Sequence, residues 1–402
     1  MARLYEQSCK KIEIYDVIVF SFILSLFVFE NKTYSNLFSI IQLIFISYTI
    51  LKIVHSMKIK INGLYIWFFL LLLIAFILLV FNNIYNVNYT FYIILKNCVR
   101  CICLLVYLLG DVENRTNKIM FYFILAGNLC AINLCLDFLQ SGGMQYSDLK
   151  YASNSRVGAN IAGGNVNIVA LNLSFAFLPC LYYYQKTNNI RGKILYAFMI
   201  IFVFASSMLT GTRKTLFFYV ITFIIFIMLG KKDKIKKIMM AVLVILIAYW
   251  SLLNIEPLYY MIGHKIDVFR DNSYYLMYEG SDNIRKRLIK DGLMLFSNNP
   301  FGIGFGASSN YLGGYAHNNF VEILISGGLM GFLIYYSLYI YIWISSKKYK
   351  QSDLLSKYVY VSIIGLFILE MGQVTYLYTV PLYFLTLVGT YCMKKCNDDY
   401  YR

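Results

Sequence analysis

Long apolar runs, separated by short polar connections, limit which folds this chain can adopt. Hydrophobic residues make up 59% of the sequence and charged residues only 14%, which does not describe a soluble surface. In lipid, backbone N–H and C=O groups must be paired within the segment or in a closed barrel, and these runs lack the alternation of barrel strands. The sequence therefore predicts an all-α polytopic membrane protein with about twelve transmembrane helices. The predicted spans cover residues 14–29, 36–54, 61–81, 89–109, 118–139, 159–184, 194–210, 214–229, 236–254, 319–344, 357–373 and 375–393.

Lys and Arg residues cluster in alternate connections between these runs. The connections on the N-terminal side hold most of them, for example Lys231, Lys232 and Lys234 after the eighth run. Under the positive-inside rule, this asymmetry predicts that both termini lie in the cytoplasm. The same rule accounts for the formal net charge of +16, so we expect membrane lipid and no nucleic acid as a partner.

Two of the predicted outward connections are longer than a hairpin. They cover residues 140–158 and 255–318, within what is otherwise a single transmembrane domain of residues 1–402. Loops of this length in compact folds are more often functional than idle. Acidic and basic side chains balance in the larger loop, which lies between the ninth and tenth runs. We therefore expect it to fold, with short surface helices, and to form part of the active site.

The turn Gly211-Thr212-Arg213-Lys214 places two cations on the predicted outer side, against the charge trend of the chain. An arginine at a membrane surface suits a phosphate or pyrophosphate, because its planar guanidinium donates paired hydrogen bonds and stays charged. The alternative is that both side chains reach lipid headgroups. Arg156 precedes another helix entrance, where anions are favoured, and either lines the same site or belongs to an ordinary loop.

The larger loop contains a cationic stretch followed by a glycine-rich turn. Arg285 lies in an amphipathic run that predicts a surface helix, and Asn299 and Pro300 then lead into Gly302 and Gly304. No strand precedes these glycines, so they predict close packing or backbone approach to a ligand rather than a dinucleotide site. The sequence contains no Walker loop and no HExxH metal motif, and we expect neither a cofactor nor a metal.

Two ionisable residues and an asparagine mark the start of the tenth run. The pKa of a histidine lies near neutrality, so His317 suits proton transfer or, when charged, phosphate binding. Glu322 follows five residues later and competes with His317 as the candidate base. Asn318 is a candidate substrate contact.

Three charged residues fall within predicted spans rather than between them. Lys96 and Arg100 lie one helical turn apart in the fourth run, and Glu370 lies in the eleventh. Charges at this depth need partners, so we expect the three to pair with one another. A proton relay in a transporter is the alternative.

Together, these elements resemble the O-antigen polymerase and ligase superfamily, whose members are membrane glycosyltransferases that act on undecaprenyl-pyrophosphate-linked glycans. Four motifs carry the resemblance, in the order that the family shows and all on the predicted outer side. They are Arg156, Gly158, Asn167 and Ala170; Gly211, Thr212 and Arg213; Arg285, Asn299, Pro300, Gly302 and Gly304; and His317, Asn318, Gly328 and Gly331.

The resemblance implies a GT-C-like, metal-independent polymerase of a bacterial surface polysaccharide, either O-antigen or capsule, with its active site facing the periplasm or the exterior of the plasma membrane. It implies that Arg213 and Arg285 hold the donor pyrophosphate, assisted by Arg156 or Lys214. His317 is then the base or a further pyrophosphate contact, with Glu322 as its competitor. The substrate is an undecaprenyl-pyrophosphate-linked oligosaccharide, and a chain-length regulator protein is a candidate partner.

Two other functions remain open from the sequence. A ligase that transfers finished glycan to another acceptor uses the same chemistry. A glycan flippase or transporter would also have about twelve spans, but transporters usually show internal repeats and sites at the membrane midplane. Here the informative residues gather in outward loops, which favours the enzyme.

Overall fold

All secondary structure in the described part of the chain is helical. The computed structural model describes residues 13–28, 35–56, 62–82, 84–140, 166–229, 234–254, 259 and 275–400. The helices are α1 (Ile14–Val28), α2 (Ser35–Ser56), α3 (Gly63–Phe81), α4 (Tyr85–Leu108), α5 (Val112–Gln140), α6 (Val166–Lys186), α7 (Ile190–Leu209), α8 (Arg213–Met228), α9 (Lys234–Asn254), α10 (Tyr275–Asn298), α11 (Ser308–Leu312), α12 (Asn319–Tyr349), α13 (Leu354–Glu370) and α14 (Thr379–Tyr400). The predicted all-α class is confirmed for these residues.

Seven of the helices have the length and apolar composition needed to cross a membrane. They are α2, α3, α4, α5, α6, α7 and α12, and α1 and α8 are shorter apolar helices. The protein is thus a multi-pass membrane protein. Each predicted span coincides with one of α1 to α9 or α12 to α14, while the number that cross the bilayer and the cytoplasmic position of the termini stay predictions.

Helix α14 lies at the centre of the bundle. It packs against α3, α4, α5, α6 and α12, and its residues 379–392 are buried. The hydroxyl groups of Thr386 and Thr390 donate to backbone carbonyls one turn earlier, at 2.7 and 2.6 Å. These hydroxyls are therefore satisfied within the helix, and α14 can be buried on all sides without unpaired polar groups.

The deep charges do not pair as predicted. Arg100 donates to the Thr379 hydroxyl at 2.9 Å, and its guanidinium lies 5.0 Å from the ring centroid of Phe38. Glu370 accepts hydrogen bonds from hydroxyl groups instead of from a cation, among them that of Tyr336 at 2.9 Å. The ammonium group of Lys96 lies over the ring of Tyr92. The predicted pairing of these cations with Glu370 is wrong, because hydroxyl groups supply the hydrogen bonds of the carboxylate, while Arg100 lies against a hydroxyl and an aromatic face.

Ion pairs join α1 to α5 at the end of the bundle where the basic connections lie. The Lys118 ammonium is 2.6 Å from the buried Asp16 carboxylate, and Arg115 is 3.2 Å from Glu13. Asn82 and Ile84 lie at the opposite end, together with the connections at 210–212, 299–318 and 371–378, and we call it the site end.

Helix α12 is broken near its middle, at Gly328, whose φ of 64° is left-handed. The break frees carbonyl groups that a continuous helix would pair. Residues 300–304 supply the donors that these carbonyls lack. The backbone N–H groups of Ile303 and Gly304 donate to the carbonyls of Ile325 and Ser326, each at 3.0 Å. In return, the Leu329 N–H donates to the Pro300 carbonyl at 2.9 Å. The loop therefore completes the helix, as irregular backbone within a membrane requires.

The other wall of this loop is helix α4. A β-carbon added to Gly304 would lie 2.9 Å from the Val87 side chain, and one added to Gly306 would lie 2.0 Å from the Thr90 hydroxyl. The Asn86 amide also donates to the side chain of Asn310 at 2.5 Å. The predicted close packing of the glycine turn is confirmed. The surface against which it packs belongs in part to α4, a helix that contains none of the four motifs.

The helix break leads to the first prediction. Replacing Gly328 by alanine should destabilise the protein by about 1–3 kcal/mol from the left-handed backbone alone. The new β-carbon would also lie 2.3 Å from the Phe301 carbonyl carbon. Gly331→Ala is the matched control, because the nearest atoms to its added carbon are at 3.6 Å. The thermal unfolding midpoint of the purified protein in detergent measures the difference, and equal midpoints for the two variants would contradict this account of the break.

Candidate active site

The connection between α13 and α14, residues 371–378, is the meeting point of the site end. The Lys214 ammonium donates to the Gly372 carbonyl, and the Asn318 amide donates to the Met371 carbonyl at 3.3 Å. The Gln373 amide donates to the Asn167 carbonyl at 3.2 Å. This connection, which we call the α13–α14 turn, therefore joins the first residues of α6, α8 and α12.

The α13–α14 turn also contacts the loop that precedes α12. The ring of Tyr376 lies 5.6 Å from that of Phe305, centroid to centroid, and the backbone N–H of Thr375 donates to the Asn319 side chain at 2.9 Å. Segments from all four motifs of the predicted resemblance therefore meet at one end of the bundle.

Two cations act on His317. Arg285 lies on α10, and Lys214 is the second residue of α8. Partial burial is the main cause that lowers the pKa of His317, and the positive charges of Arg285 and Lys214 lower it further, to about 4. The imidazole is therefore neutral at physiological pH. Lys214 and Arg285 thus lie near enough to His317 to affect its charge, while the roles predicted for the three residues stay predictions.

The backbone at His317 is left-handed, with a φ of 55°, which is uncommon for a residue other than glycine. The next residue, Asn318, is the N-cap of α12, and its side-chain oxygen accepts from the Val321 N–H at 3.2 Å. The ring of Tyr315 lies 4.0 Å from the imidazole, centroid to centroid. The cap on one side and the ring contact on the other support this backbone conformation and orient the imidazole.

Glu322, the competing candidate base, lies deeper than His317 and has a different environment. Its side chain is 2% exposed, and its carboxylate accepts from the Ser308 hydroxyl, from the Ala316 N–H at 2.9 Å and from the Ser326 hydroxyl at 3.4 Å. These contacts clamp the loop before α12 onto the helix. Within the described residues, no group of three His, Cys, Asp or Glu side chains is placed to hold a metal ion.

Three of the predicted features fall partly or wholly outside the described residues. Arg156 and nearly all of the 140–158 loop lie outside them, as does most of 255–274. Arg213 is the first residue of α8, but its side chain is not among those described. The turn before it is organised by hydroxyl groups, since those of Thr210 and Thr212 lie 2.9 Å apart and that of Thr215 follows at 2.6 Å.

The α13–α14 turn was missed at the sequence level. The eleventh and twelfth predicted runs reach Gln373 and restart at Thr375, whereas the structure ends α13 at Glu370 and begins α14 at Thr379. The only signal was a brief polar interruption, Gly372-Gln373 with Thr375, between two apolar runs. Its importance comes from hydrogen bonds to residues up to 206 positions away, which no local pattern records.

The fold and the site end thus define a multi-pass membrane protein with a cationic site around a neutral histidine. Residues 194–336, from α7 into α12, match the family model described as O-antigen ligase. The matched segment contains Lys214, Arg285, His317 and Glu322, and the predicted resemblance to the O-antigen polymerase and ligase superfamily is confirmed. No match was found among curated proteins.

The electrostatics of the site predict how His317 titrates. The chain has three histidines, so replacing His55 and His264 by glutamine leaves His317 as the only NMR signal of its type. Its pKa should be about 4. Arg285→Gln should raise that pKa, because removing a neighbouring positive charge makes the imidazolium less unfavourable. Lys286→Gln, at an exposed neighbouring position on α10, is the control. A pKa near 6.5 in the unmodified site would contradict the described environment.

Proposed function

We propose that the protein is a polymerase of a bacterial surface polysaccharide, O-antigen or capsule, in the plasma membrane. It transfers the growing glycan from undecaprenyl pyrophosphate to the non-reducing-end hydroxyl of a lipid-linked repeat unit on the outer face. The observation that carries the proposal is the convergence of Lys214 and Arg285 on a neutral His317, within the segment that matches the O-antigen ligase family.

The donor in this reaction carries its own leaving group. The acceptor oxygen forms a bond to the anomeric carbon of the growing chain, and the bond from that carbon to the pyrophosphate oxygen breaks, with inversion. Undecaprenyl pyrophosphate leaves with the electron pair, and Lys214 and Arg285 stabilise the charge that develops on it. Arg213 and Arg156 are proposed as further pyrophosphate contacts, with Asn318 as a substrate contact.

His317 is the base that we propose for the acceptor hydroxyl. It is half-buried beside the two cations, whereas Glu322 is enclosed by the three groups that donate to it. We therefore assign Glu322 to holding the loop and His317 to accepting the proton.

Donor binding strengthens this base. A pyrophosphate next to Lys214 and Arg285 offsets their positive charge and raises the pKa of His317 toward its ordinary value of about 6.5. The imidazole thus becomes more basic only when the donor is in place. This coupling favours proton transfer in the donor-bound complex.

The proposal is tested with the purified protein in nanodiscs and a synthetic lipid-linked repeat unit. Arg285→Ala, Lys214→Ala and His317→Ala should each lower the polymerisation rate by about 100-fold or more, as expected for losing an electrostatic or acid–base group. Lys286→Ala, an exposed neighbour on α10, should retain activity. Full-length polymer from all three site variants would show that the site is assigned wrongly.

The same assay separates the rival functions. A polymerase lengthens the glycan when the repeat unit is the only substrate. A ligase leaves that mixture unchanged and forms a product only when a different acceptor is added. A flippase moves labelled lipid across the bilayer without forming a glycosidic bond. Either of the last two results would overturn the proposed polymerase.

A further inference from the structure

Glu370, the last residue of α13, is fully buried and surrounded by hydroxyl groups. Its exposure is 0%, and its carboxylate accepts from the hydroxyls of Tyr336 at 2.9 Å, Tyr335 at 3.4 Å, Tyr339 and Thr375. The three tyrosines lie on α12, whereas Thr375 lies on the α13–α14 turn. The carboxylate therefore joins this turn to α12.

A closed ring of hydrogen bonds runs through this carboxylate. The Asn319 amide donates to the Tyr336 hydroxyl at 3.1 Å, and that hydroxyl donates to Glu370. The Thr375 hydroxyl donates to the other oxygen of Glu370, and the Thr375 N–H donates to the Asn319 side-chain oxygen at 2.9 Å, which closes the ring. Because these groups are buried and each is hydrogen-bonded to the next, the ring holds the turn and the start of α12 in one arrangement.

The site residues are attached to both halves of this ring. The carbonyls that follow Glu370, those of Met371 and Gly372, accept from Asn318 and Lys214. A β-carbon on Gly372 would lie 3.1 Å from the Lys214 side chain, so the lysine stem runs close along the turn. On the other half, Asn319 follows His317 by two residues. A shift of the turn relative to α12 would therefore move Lys214 relative to His317.

We propose that Glu370 is a positioning residue of the transferase site. Through the ring formed with Tyr336, Thr375 and Asn319, it sets the separation between the Lys214 ammonium and the His317 imidazole. It touches neither the proposed donor nor the acceptor. The inference rests on the proposed function, in which Lys214 holds the pyrophosphate and His317 takes the proton.

Hydroxyl donors suit this role. A buried carboxylate needs hydrogen-bond donors, and an arginine or lysine partner would meet that need by adding a charge two residues from Gly372. Hydroxyl groups satisfy the carboxylate without adding a positive charge. Thr375→Val removes one of these hydroxyl donors and breaks the ring, while the volume of the side chain is retained.

The test uses the titration of His317, which reports how close Lys214 is and needs no substrate. The measurement uses the protein whose only histidine is His317. There, Lys214→Gln should raise the pKa of His317 from about 4 toward the ordinary value of about 6.5, and this change gives the full effect of losing the Lys214 charge. Thr375→Val and Glu370→Gln should raise it part of the way. Thr375→Ser, which keeps the hydroxyl, should titrate like the unmodified protein. Arg285, Tyr315 and Glu322 stay unchanged throughout, so their contribution is constant.

Three results would overturn the positioning role. The first is that the pKa of His317 in the folded Thr375→Val and Glu370→Gln proteins equals that in the unmodified protein, while Lys214→Gln raises it. The second is that Thr375→Ser raises the pKa of His317 as far as Thr375→Val does, which would show that loss of the hydroxyl is not the cause of the change. The third is that Lys214→Gln leaves the pKa unchanged. Should Thr375→Val not accumulate, Tyr336→Phe, which removes the neighbouring donor of the ring, takes its place in the comparison.

This experiment separates the two proposals. If the unmodified protein forms no polymer but the ring variants shift the His317 titration as expected, the proposed function fails and the positioning role stands. If polymer forms and the ring variants leave the titration unchanged, the function stands and the role of Glu370 is only to stabilise the fold.

Discussion

The site end depends on how one interrupted helix pairs its backbone. Helix α12 breaks at Gly328, and in a lipid environment the freed carbonyls of Ile325 and Ser326 would be costly without partners. The backbone N–H groups of Ile303 and Gly304 supply them. The loop is thereby anchored to the bundle, and the polypeptide that leads to His317 is held at both ends.

Glu322 and Glu370 extend this principle from backbone to side chains. Each is a buried carboxylate satisfied by neutral donors, with Glu322 holding the loop before α12 and Glu370 holding the α13–α14 turn. The two acids thus fix the loop that contains His317 and the turn that contacts the neighbouring Asn318. In our proposal, neither takes part in the chemistry, which is left to Lys214, Arg285 and His317.

Much of the architecture was predictable because it depends on local patterns. A run of apolar residues long enough to cross lipid has to be helical whatever its neighbours are, and the predicted runs coincide with helices. Lys214 and His317 could also be singled out as candidates, since a cation against the charge trend and a histidine at a helix entrance are local signals. The predicted pairing of Lys96 and Arg100 with Glu370 was wrong, because choosing between possible partners requires knowing which helices are neighbours.

The sequence by itself determined that the chain is a helical membrane protein and identified the residues that carry its proposed chemistry. Only the tertiary structure decided how these residues are arranged. It placed the break of α12 against residues 300–304, made the short α13–α14 turn the meeting point of the site, and lowered the pKa of His317 through burial and two cations from other helices. The physical reason is the separation of the interacting residues along the chain. The hydropathy of a segment depends on its own residues, whereas the hydrogen bond from Gln373 to the Asn167 carbonyl joins residues 206 positions apart.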